Sequence, residues 1–227
     1  MKTSFTSVSF SERLLLTAEK LAKTSNPDDL AKYKAIADTL SASDLTNFAL
    51  QTGDVMPSFA LQDVEGKHQK ISQIHNRKWL VINIFRGSWC PFCNIELVEY
   101  EKHYEKFSTL DAKVIAISPQ KIEYNQSLVN QRKLKVELYS DPNCKVAERF
   151  RIGYTVPNYL NNIYHNQNVH LEKFNGEGTL KLPIPATYLI DRSGIIRMHF
   201  LSLSPYQRLD PSLVIDTIQS LIDSNDK

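Results

Sequence analysis

Trp79-Leu80-Val81-Ile82-Asn83-Ile84-Phe85-Arg86-Gly87-Ser88-Trp89-Cys90-Pro91-Phe92-Cys93 is the most informative segment of the chain. Residues 79–85 form an almost continuous apolar run, and its length and β-branched content predict a strand that is buried on both faces. Two cysteines separated by two residues follow shortly after it. Apolar residues then recur at helical spacing between 97 and 107. The sequence therefore places a Cys-x-x-Cys motif between a buried strand and a helix.

A cysteine pair in this position predicts dithiol chemistry. Cys90 would lie at the helix N-terminus, where unpaired N–H groups and the helix dipole stabilise a thiolate and lower its pKa below the free value of about 8.5. Cys93, one turn later, can resolve a mixed disulfide or a sulfenic acid on Cys90. Pro91 costs little there, because the N–H that it lacks would have no helical partner. We therefore predict Cys90 and Cys93 as the catalytic residues.

Other interpretations of the cysteines remain open at this point. A structural zinc site needs four ligands, and Cys144 is the only further cysteine. An inert pair of core cysteines is the second alternative. Cys144 falls where Asp141-Pro142-Asn143 predicts a helix start, so we expect it to be outside the chemistry, with a distant resolving thiol as the alternative. We expect no metal and no bound cofactor, because the electrons would pass through the thiols.

Three more residues are candidates for binding or activating a substrate. Arg86 lies four residues before Cys90 and can stabilise a thiolate or a bound peroxide, or it can form a surface ion pair. Trp89 offers a docking surface for a substrate, with simple packing as the alternative. Pro185 directly precedes a predicted strand; if its peptide bond is cis, its loop can lie against Cys90 and offer backbone groups to a substrate.

Strands and helices alternate outward from this segment. Residues 1–50 predict helices, with Ser9 and Asn26 as the first two N-caps and Asp44 as a third. Further strands are predicted at 114–117, 136–139, 186–190 and 195–200, and further helices at 122–134 and 210–223, whereas 152–182 looks irregular. This order predicts an α/β fold with a central mixed β-sheet flanked by helices. We expect an N-terminal helical extension at 1–52, for packing or as a dimer arm, and a main domain at 53–227.

The composition excludes several classes of function. The 227 residues are 42% hydrophobic and 23% charged, which is typical of a globular protein. The net charge of +2 and the lack of long charge runs argue against nucleic-acid partners and a polybasic membrane contact. No apolar run is long enough to span a bilayer, and the leucines at 14–16 are too few for the core of a secretory signal. We therefore expect a cytoplasmic protein.

Four motifs resemble the AhpC/TSA peroxiredoxin-like proteins of the thioredoxin-like superfamily, in a Trp-Cys-Pro-Phe-Cys variant. They are Gly53-Asp54-Val55-Met56-Pro57-Ser58-Phe59-Ala60-Leu61, the segment 85–97 around the cysteines, Asp141-Pro142 with Val146-Ala147, and Leu182-Pro183-Ile184-Pro185-Ala186-Thr187-Tyr188-Leu189-Ile190-Asp191. The resemblance covers the chain from about Gly53 onward. It implies a thioredoxin-like fold, Cys90 as nucleophile, Cys93 as resolving thiol and a cis peptide bond at Pro185. Residues 152–182 then form an insertion before the cis-proline loop.

The sequence departs from the standard peroxiredoxin pattern at three positions. Standard members carry the motif Pro-x-x-x-Thr-x-x-Cys around the nucleophile. This chain has Asn83 at the proline position and Gly87 at the threonine position. The arginine that standard members carry before the Ala-Thr strand is replaced by Pro185. Most of the groups that polarise a peroxide O–O bond are therefore missing, which shifts the prediction toward dithiol–disulfide exchange, with Arg86 as a substitute for the lost arginine.

The predicted function is that of a peroxiredoxin-like thiol oxidoreductase acting on disulfide or hydroperoxide substrates through a Cys90–Cys93 dithiol. Its expected partner is a thiol reductant such as a thioredoxin or glutathione system, and a homodimer is an open alternative to a monomer. A different class of function is a redox-sensing module, in which the same disulfide changes an interaction of the N-terminal helices without turnover.

Overall fold

A seven-stranded mixed β-sheet lies at the centre of the structure, a computed structural model that describes residues 8–43 and 45–225. The nine strands of these residues, in chain order, are β1 (Ala60–Asp63), β2 (His68–Lys70), β3 (Trp79–Ile84), β4 (Ala112–Ser118), β5 (Glu137–Ser140), β6 (Gly153–Thr155), β7 (Lys181–Pro183), β8 (Ala186–Asp191) and β9 (Ile196–Leu201). The main sheet has the order β2-β1-β5-β4-β3-β8-β9, and β6 pairs with β7 separately.

Helices cover both faces of the sheet. They are α1 (Phe10–Thr24), α2 (Pro27–Ala42), α3 (Leu45–Phe48), α4 (Ile71–Ile74), α5 (Pro91–Lys102), α6 (Tyr104–Thr109), α7 (Ile122–Arg132), α8 (Lys145–Arg149), α9 (Asn158–Asn166), α10 (Leu171–Asn175) and α11 (Pro211–Asn225), with a 3₁₀ turn at Pro142–Cys144. The predicted alternation of strands and helices is therefore confirmed. No helix of the described residues is long and apolar enough to cross a membrane.

Strand β3 is an interior strand of the sheet, and the segment with the cysteine motif follows its carboxyl end. It pairs in parallel with β4 and antiparallel with β8, so that Val81 lies between Val114 and Leu189. All six of its residues are buried, which confirms the prediction of a strand covered on both faces. Because successive side chains of a strand point to opposite faces, Val81 joins one hydrophobic core and Ile82 joins the other.

The two cores separate the three cysteines. Cys90 and Cys93 belong to the core that contains Val81, together with buried residues of α1, α5 and α11. Cys144 belongs to the core that contains Ile82. The sheet therefore lies between Cys144 and the dithiol, as expected for a cysteine outside the chemistry.

The N-terminal helices begin where the sequence predicts. The Ser9 hydroxyl accepts a hydrogen bond from the backbone N–H of Glu12 at 3.2 Å, and the Asn26 side chain accepts one from the N–H of Asp28 at 2.9 Å. These bonds satisfy N–H groups that the first helical turn leaves unpaired. The third predicted cap, Asp44, lies outside the described residues.

Helices α1 and α2 pack against the rest of the described chain. Phe10 and Leu14 of α1 are buried in the core that contains the dithiol, and Arg13 forms an ion pair with Glu99 of α5. Ile36 of α2 packs against α9 and its surroundings. These contacts agree with a packing role for the extension. The division into 1–52 and 53–227 stays a prediction.

Residues 152–182 contain more regular secondary structure than the sequence predicts. They form β6, α9, α10 and the start of β7. A third small hydrophobic core explains this order, because α9 buries one face against Ile36. Its buried members are Ile36, Val156, Leu160, Ile163, Tyr164, Leu171 and Leu182.

The backbone differs from expectation at two further places. The helix predicted from Asp141 begins irregularly, because Asn143 and Cys144 both adopt left-handed conformations with φ of 63° and 56°. The helix after the cysteines ends at Lys102, and α6 continues after a break at His103.

The expectation of a cis peptide bond at Pro185 is wrong. All peptide bonds between described residues are trans. The trans form of an X–Pro bond is favoured by about 0.5–1 kcal/mol. Here it lets the chain run directly from β7 into β8, with the N–H of Ile184 bonded to the carbonyl oxygen of Ile152 at 2.8 Å.

Candidate active site

The two thiols of the motif lie at the N-terminus of α5. Cys90 is the N-cap residue, in an extended conformation, and its N–H donates to the carbonyl oxygen of Gly87 at 3.1 Å. Cys93 lies one turn into the helix and donates its thiol proton to Cys90 Sγ over 2.8 Å. Both cysteines are free thiols and both are 0% exposed. The structure therefore brings the predicted nucleophile and the predicted resolving thiol together in a site closed to bulk water.

Arg86 contacts the nucleophile directly. Its Nη2 donates to Cys90 Sγ at 3.1 Å, and its Nη1 donates to the Tyr164 hydroxyl at 3.4 Å. The guanidinium also lies over the Trp89 ring, 5.3 Å from the ring centroid. Among the described residues Arg86 forms no ion pair with a carboxylate, so the surface ion pair considered for it does not occur there. Its charge is directed at the sulfur instead.

The surroundings give the two thiols opposite pKa shifts. Burial raises the pKa of Cys90, but the hydrogen bond from Cys93 and the charge of Arg86 outweigh burial and hold the Cys90 pKa well below its ordinary value. Burial, the hydrogen bond to Cys90 and the negative charge there hold the pKa of Cys93 well above its ordinary value. The pair therefore shares one proton, with the thiolate on Cys90 and the thiol on Cys93.

A buried ion pair that the sequence did not predict lies beneath the thiols. Glu96 Oε2 lies 2.9 Å from Arg208 Nε, and Arg208 Nη2 lies 3.8 Å from Cys93 Sγ. Burial raises the pKa of Glu96 to about 7, although Arg208 opposes that shift. Glu96 could have been found from the sequence, because it follows Cys93 by three residues on a helix and so lies on the same helix face. No signal points to Arg208, which comes from the loop before α11.

The loop between β3 and α5 has a conformation that requires glycine. Gly87 has a φ of +149°, and a Cβ placed there would lie 2.6 Å from Trp89 Nε1. The threonine of the standard peroxiredoxin motif therefore does not fit while Trp89 holds its position. Gln120 fixes the next residue, since its Oε1 accepts from the N–H of Ser88 at 2.9 Å and from the Ser88 hydroxyl at 3.0 Å.

Trp89 and Pro185 contribute to the surroundings of Arg86 in different ways. Trp89 is partly buried and packs edge-on against Tyr164, with the ring centroids 5.3 Å apart, so the packing alternative describes its position. Pro185 is buried and lines a small pocket that also borders Arg86. The other sides of this pocket come from α2, from Tyr154 and Tyr164 of the insertion, and from the segment 202–205.

Cys144 is buried in the hydrophobic core on the other side of the sheet from Cys90 and Cys93. It is 0% exposed, and burial raises its pKa above the ordinary value of a thiol. Within the described residues, no group of three or more potential metal ligands includes Cys90 or Cys93. The cysteine pair is thus arranged as a dithiol with an arginine on one side and an ion pair below.

Comparison with known proteins identifies the family of the chain. The model of the AhpC/TSA family matches residues 52–199. The chloroplastic peroxiredoxin Q of Suaeda salsa is 26% identical over 162 residues, which cover 71% of this chain and 65% of that protein. The thiol-disulfide oxidoreductase ResA of Bacillus cereus is 23% identical over 146 residues, which cover 64% of this chain and 66% of that protein.

A solved structure shows the same fold. The crystal structure of peroxidoxin BcpB from Mycobacterium tuberculosis superposes with a TM-score of 0.60 at 17% identity, covering 75% of this chain and 97% of that one. The fold expected from the motifs, a thioredoxin-like sheet flanked by helices, is thereby confirmed. Since the family model spans well over half of the chain, the protein belongs to the AhpC/TSA family.

Proposed function

We propose that the protein is a thiol-dependent oxidoreductase in which Cys90 attacks the substrate and Cys93 resolves the product. The observation that carries this proposal is the contact of Arg86 Nη2 with Cys90 Sγ at 3.1 Å, beside a Cys93 thiol at 2.8 Å. A guanidinium in contact with sulfur stabilises the thiolate, which is the attacking species. The neighbouring thiol remains protonated and ready for the second step.

The burial of Cys90 favours a small hydroperoxide as the substrate. With the sulfur 0% exposed, an extended polypeptide disulfide would need the loop around Trp89 to move before it could be attacked. A hydroperoxide is much smaller and needs less movement, and the small pocket that Arg86 and Pro185 border gives it a position beside the guanidinium that contacts Cys90 Sγ. Arg86 can then donate one hydrogen bond to the sulfur and another to a peroxide oxygen, so it would take the place of the arginine that Pro185 replaces.

The proposed reaction balances without a bound cofactor. The Cys90 thiolate attacks one peroxide oxygen, the O–O bond breaks, and the leaving alkoxide or hydroxide takes up a proton to give an alcohol or water. Cys90 is then a sulfenic acid. The Cys93 sulfur, after losing its proton, attacks Cys90 Sγ and releases water as the Cys90–Cys93 disulfide forms. An external dithiol supplies two electrons to reopen that disulfide.

A second candidate substrate is a protein disulfide. The likeness to a thiol-disulfide oxidoreductase supports it, and so does the absence of the standard threonine at Gly87. In that reaction Cys90 would form a mixed disulfide that Cys93 resolves. A redox-sensing module without turnover has weaker support, because the chain belongs to a family that includes peroxiredoxins.

We also propose a thiol reductant of the thioredoxin or glutathione type as the partner, acting in a reducing compartment such as the cytoplasm. The homodimer stays a prediction. Reduction of the Cys90–Cys93 disulfide by a thioredoxin system and by glutathione, each followed as NADPH oxidation, identifies the reductant.

The deciding experiment compares peroxide consumption with disulfide reduction by the same protein. Hydrogen peroxide, cumene hydroperoxide and a model protein disulfide are offered in turn with a regenerating thioredoxin system. We expect faster turnover of a hydroperoxide. Cys90→Ser should abolish it, and Cys93→Ser should allow one round of peroxide loss that leaves a sulfenic acid on Cys90.

Cys144→Ser is the matched control, because that thiol lies across the sheet from the dithiol. It should retain full turnover. Reduction of the protein disulfide without loss of peroxide would show that a protein disulfide is the substrate instead. Inactivity toward all three substrates would contradict an enzymatic function and favour the redox-sensing module.

A further inference from the structure

We propose that His165, His170 and Glu172, in the insertion before β8, form a binding site for a divalent transition-metal ion of the zinc class. One potential ligand atom from each of these residues lies within 4.8 Å of the other two. The site contains no cysteine, so it is independent of the dithiol and of the proposed function. Two imidazole nitrogens with one carboxylate oxygen form a typical ligand set for zinc.

The distances between the ligand atoms fit such an ion. His165 Nε2 lies 3.2 Å from Glu172 Oε1, and His170 Nδ1 lies 3.9 Å from the same oxygen. In a tetrahedral site with bonds of about 2.0–2.1 Å, two ligand atoms lie about 3.3 Å apart. The distance from Glu172 to His165 matches this spacing, whereas the distance to His170 is longer and would have to shorten when an ion binds. The centroids of the two imidazole rings lie 4.8 Å apart with their planes tilted by 48°, and the three candidate ligand atoms all lie within 4.8 Å of one another.

The backbone holds the three residues in place. His165 lies in the last turn of α9, His170 is the N-cap of α10 and Glu172 lies in the first turn of α10. The connection between the helices is tight, because the N–H of Val169 donates to the Tyr164 carbonyl oxygen at 2.8 Å and Asn168 adopts a left-handed φ of 59°. The site therefore needs little ordering when a metal binds.

Buried neighbours anchor the ligands from below. Tyr164, directly before His165, is 3% exposed, and Leu171, between His170 and Glu172, is 0% exposed. The ligand side chains themselves are 38–44% exposed. Three protein ligands on a solvent-facing edge leave a fourth coordination position for water, and they give the ion an open path to the site.

Zinc titration of the full chain with its dithiol blocked tests the site. The protein is first oxidised to the Cys90–Cys93 disulfide, or carries Cys90→Ser and Cys93→Ser, so that these thiols cannot bind the metal. Competition with a coloured chelator should then reveal one zinc ion per chain. His165→Asn and Glu172→Gln should each weaken binding by about 10-fold or more, as the loss of a direct ligand exceeds the loss of a supporting contact.

His68→Asn is the matched control, since His68 is an exposed histidine on β2 far along the chain from the site. It should bind zinc as the unchanged protein does. Acidification should release the ion, because zinc requires neutral imidazoles. Equal affinity in His165→Asn, His170→Asn and the unchanged protein, or no saturable binding at sub-millimolar zinc, would show that the three side chains form only an ion-pair cluster. Circular dichroism of each variant verifies that α9 and α10 remain folded.

Discussion

Glu96 and Arg208 form an ion pair in which both side chains are only 2% exposed. Desolvating two charges is costly, so a buried pair of this kind is weak evidence for stability. The pair matters instead because it lies next to the dithiol. Arg208 also contacts Cys93 Sγ, and the negative charges of Glu96 and Cys90 repel each other. With a pKa of about 7, Glu96 changes its charge near neutral pH at the base of the dithiol.

Glu96→Gln should therefore remove one step from the pH dependence of the reactivity of Cys90. Below about pH 7 Glu96 is protonated and neutral, whereas above it the carboxylate opposes the Cys90 thiolate. We expect the alkylation rate of Cys90 by iodoacetamide, plotted against pH, to show an inflection near pH 7 in the unchanged protein. The variant should lack this inflection and should keep a more reactive thiolate above pH 7.

Glu65→Gln provides the control, because Glu65 lies exposed in the turn after β1. Mass spectrometry assigns the alkylated cysteine. An inflection of unchanged size in Glu96→Gln would mean that another group near the thiols titrates at this pH.

Arg86→Gln should weaken the nucleophile. The substitution removes the charge that contacts Cys90 Sγ at 3.1 Å and leaves a shorter, neutral polar side chain. The pKa of Cys90 should rise, since Arg86 lowers it, and turnover at pH 7 should fall by about 100-fold, a loss typical of removing one stabilising donor. Thiolate absorbance across a pH titration measures the first effect, and peroxide or disulfide turnover measures the second.

Arg197→Gln is the matched control, since Arg197 pairs with Asp191 on the surface of β9. Its thiolate titration should match that of the unchanged protein. If Arg86→Gln also left the titration unchanged, the low pKa of Cys90 would have to come from its hydrogen bonds with Cys93 and from the charge of Arg208.

Local patterns predicted the part of the site that is continuous in sequence. The apolar run of β3, the helix after it and the spacing from Arg86 to Cys90 lie within one short segment, and their geometry follows from strand and helix periodicity. Arg208 reaches the thiols from a loop 115 residues after Cys93. Only the docking of α11 against the sheet brings it there, so no local pattern could find it.

The insertion was misjudged for a related reason. Its two helices contain nine and five residues, too few to be stable alone, and they form because they bury apolar residues against Ile36 of α2. That contact joins segments more than a hundred residues apart, so no pattern within either segment indicates it. The resemblance to the family likewise suggested a cis bond at Pro185, but the trans bond follows the path of this chain from β7 to β8.

Gly87→Ala should destabilise the protein, and Trp89 should account for part of the loss. The conformation at φ +149° is strained for any residue with a Cβ, and the new atom would also lie 2.6 Å from Trp89 Nε1. We expect a loss of about 1–3 kcal/mol in the free energy of unfolding from backbone strain, plus a contribution from the clash. Urea denaturation measures the total.

A double-mutant cycle separates these two causes. In a Trp89→Ala background the same Gly87→Ala change should cost less, because the clash is gone while the strain remains. Strictly additive effects of the two substitutions would show that the indole does not restrict residue 87, and the steric explanation for the missing threonine would then fail.

Leu14→Ala and Leu15→Ala should show whether the N-terminal helix α1 packs within its own chain or serves as a dimer arm. Leu14 is 4% exposed and packs in the core that contains the dithiol, whereas the adjacent Leu15 is 54% exposed. Truncating a buried leucine costs about 2–5 kcal/mol through lost burial and the cavity left behind. Truncating an exposed one changes stability by about 0.5 kcal/mol or less.

Urea denaturation of the two variants should therefore show a large loss for Leu14→Ala and almost none for Leu15→Ala. Sedimentation at two protein concentrations measures the oligomeric state in parallel. If α1 served instead as a dimer arm through its exposed face, Leu15→Ala would shift the protein toward monomer and lower its stability in a concentration-dependent way. That result would contradict a pure packing role for α1, because Leu15 would then be buried in solution in addition to Leu14.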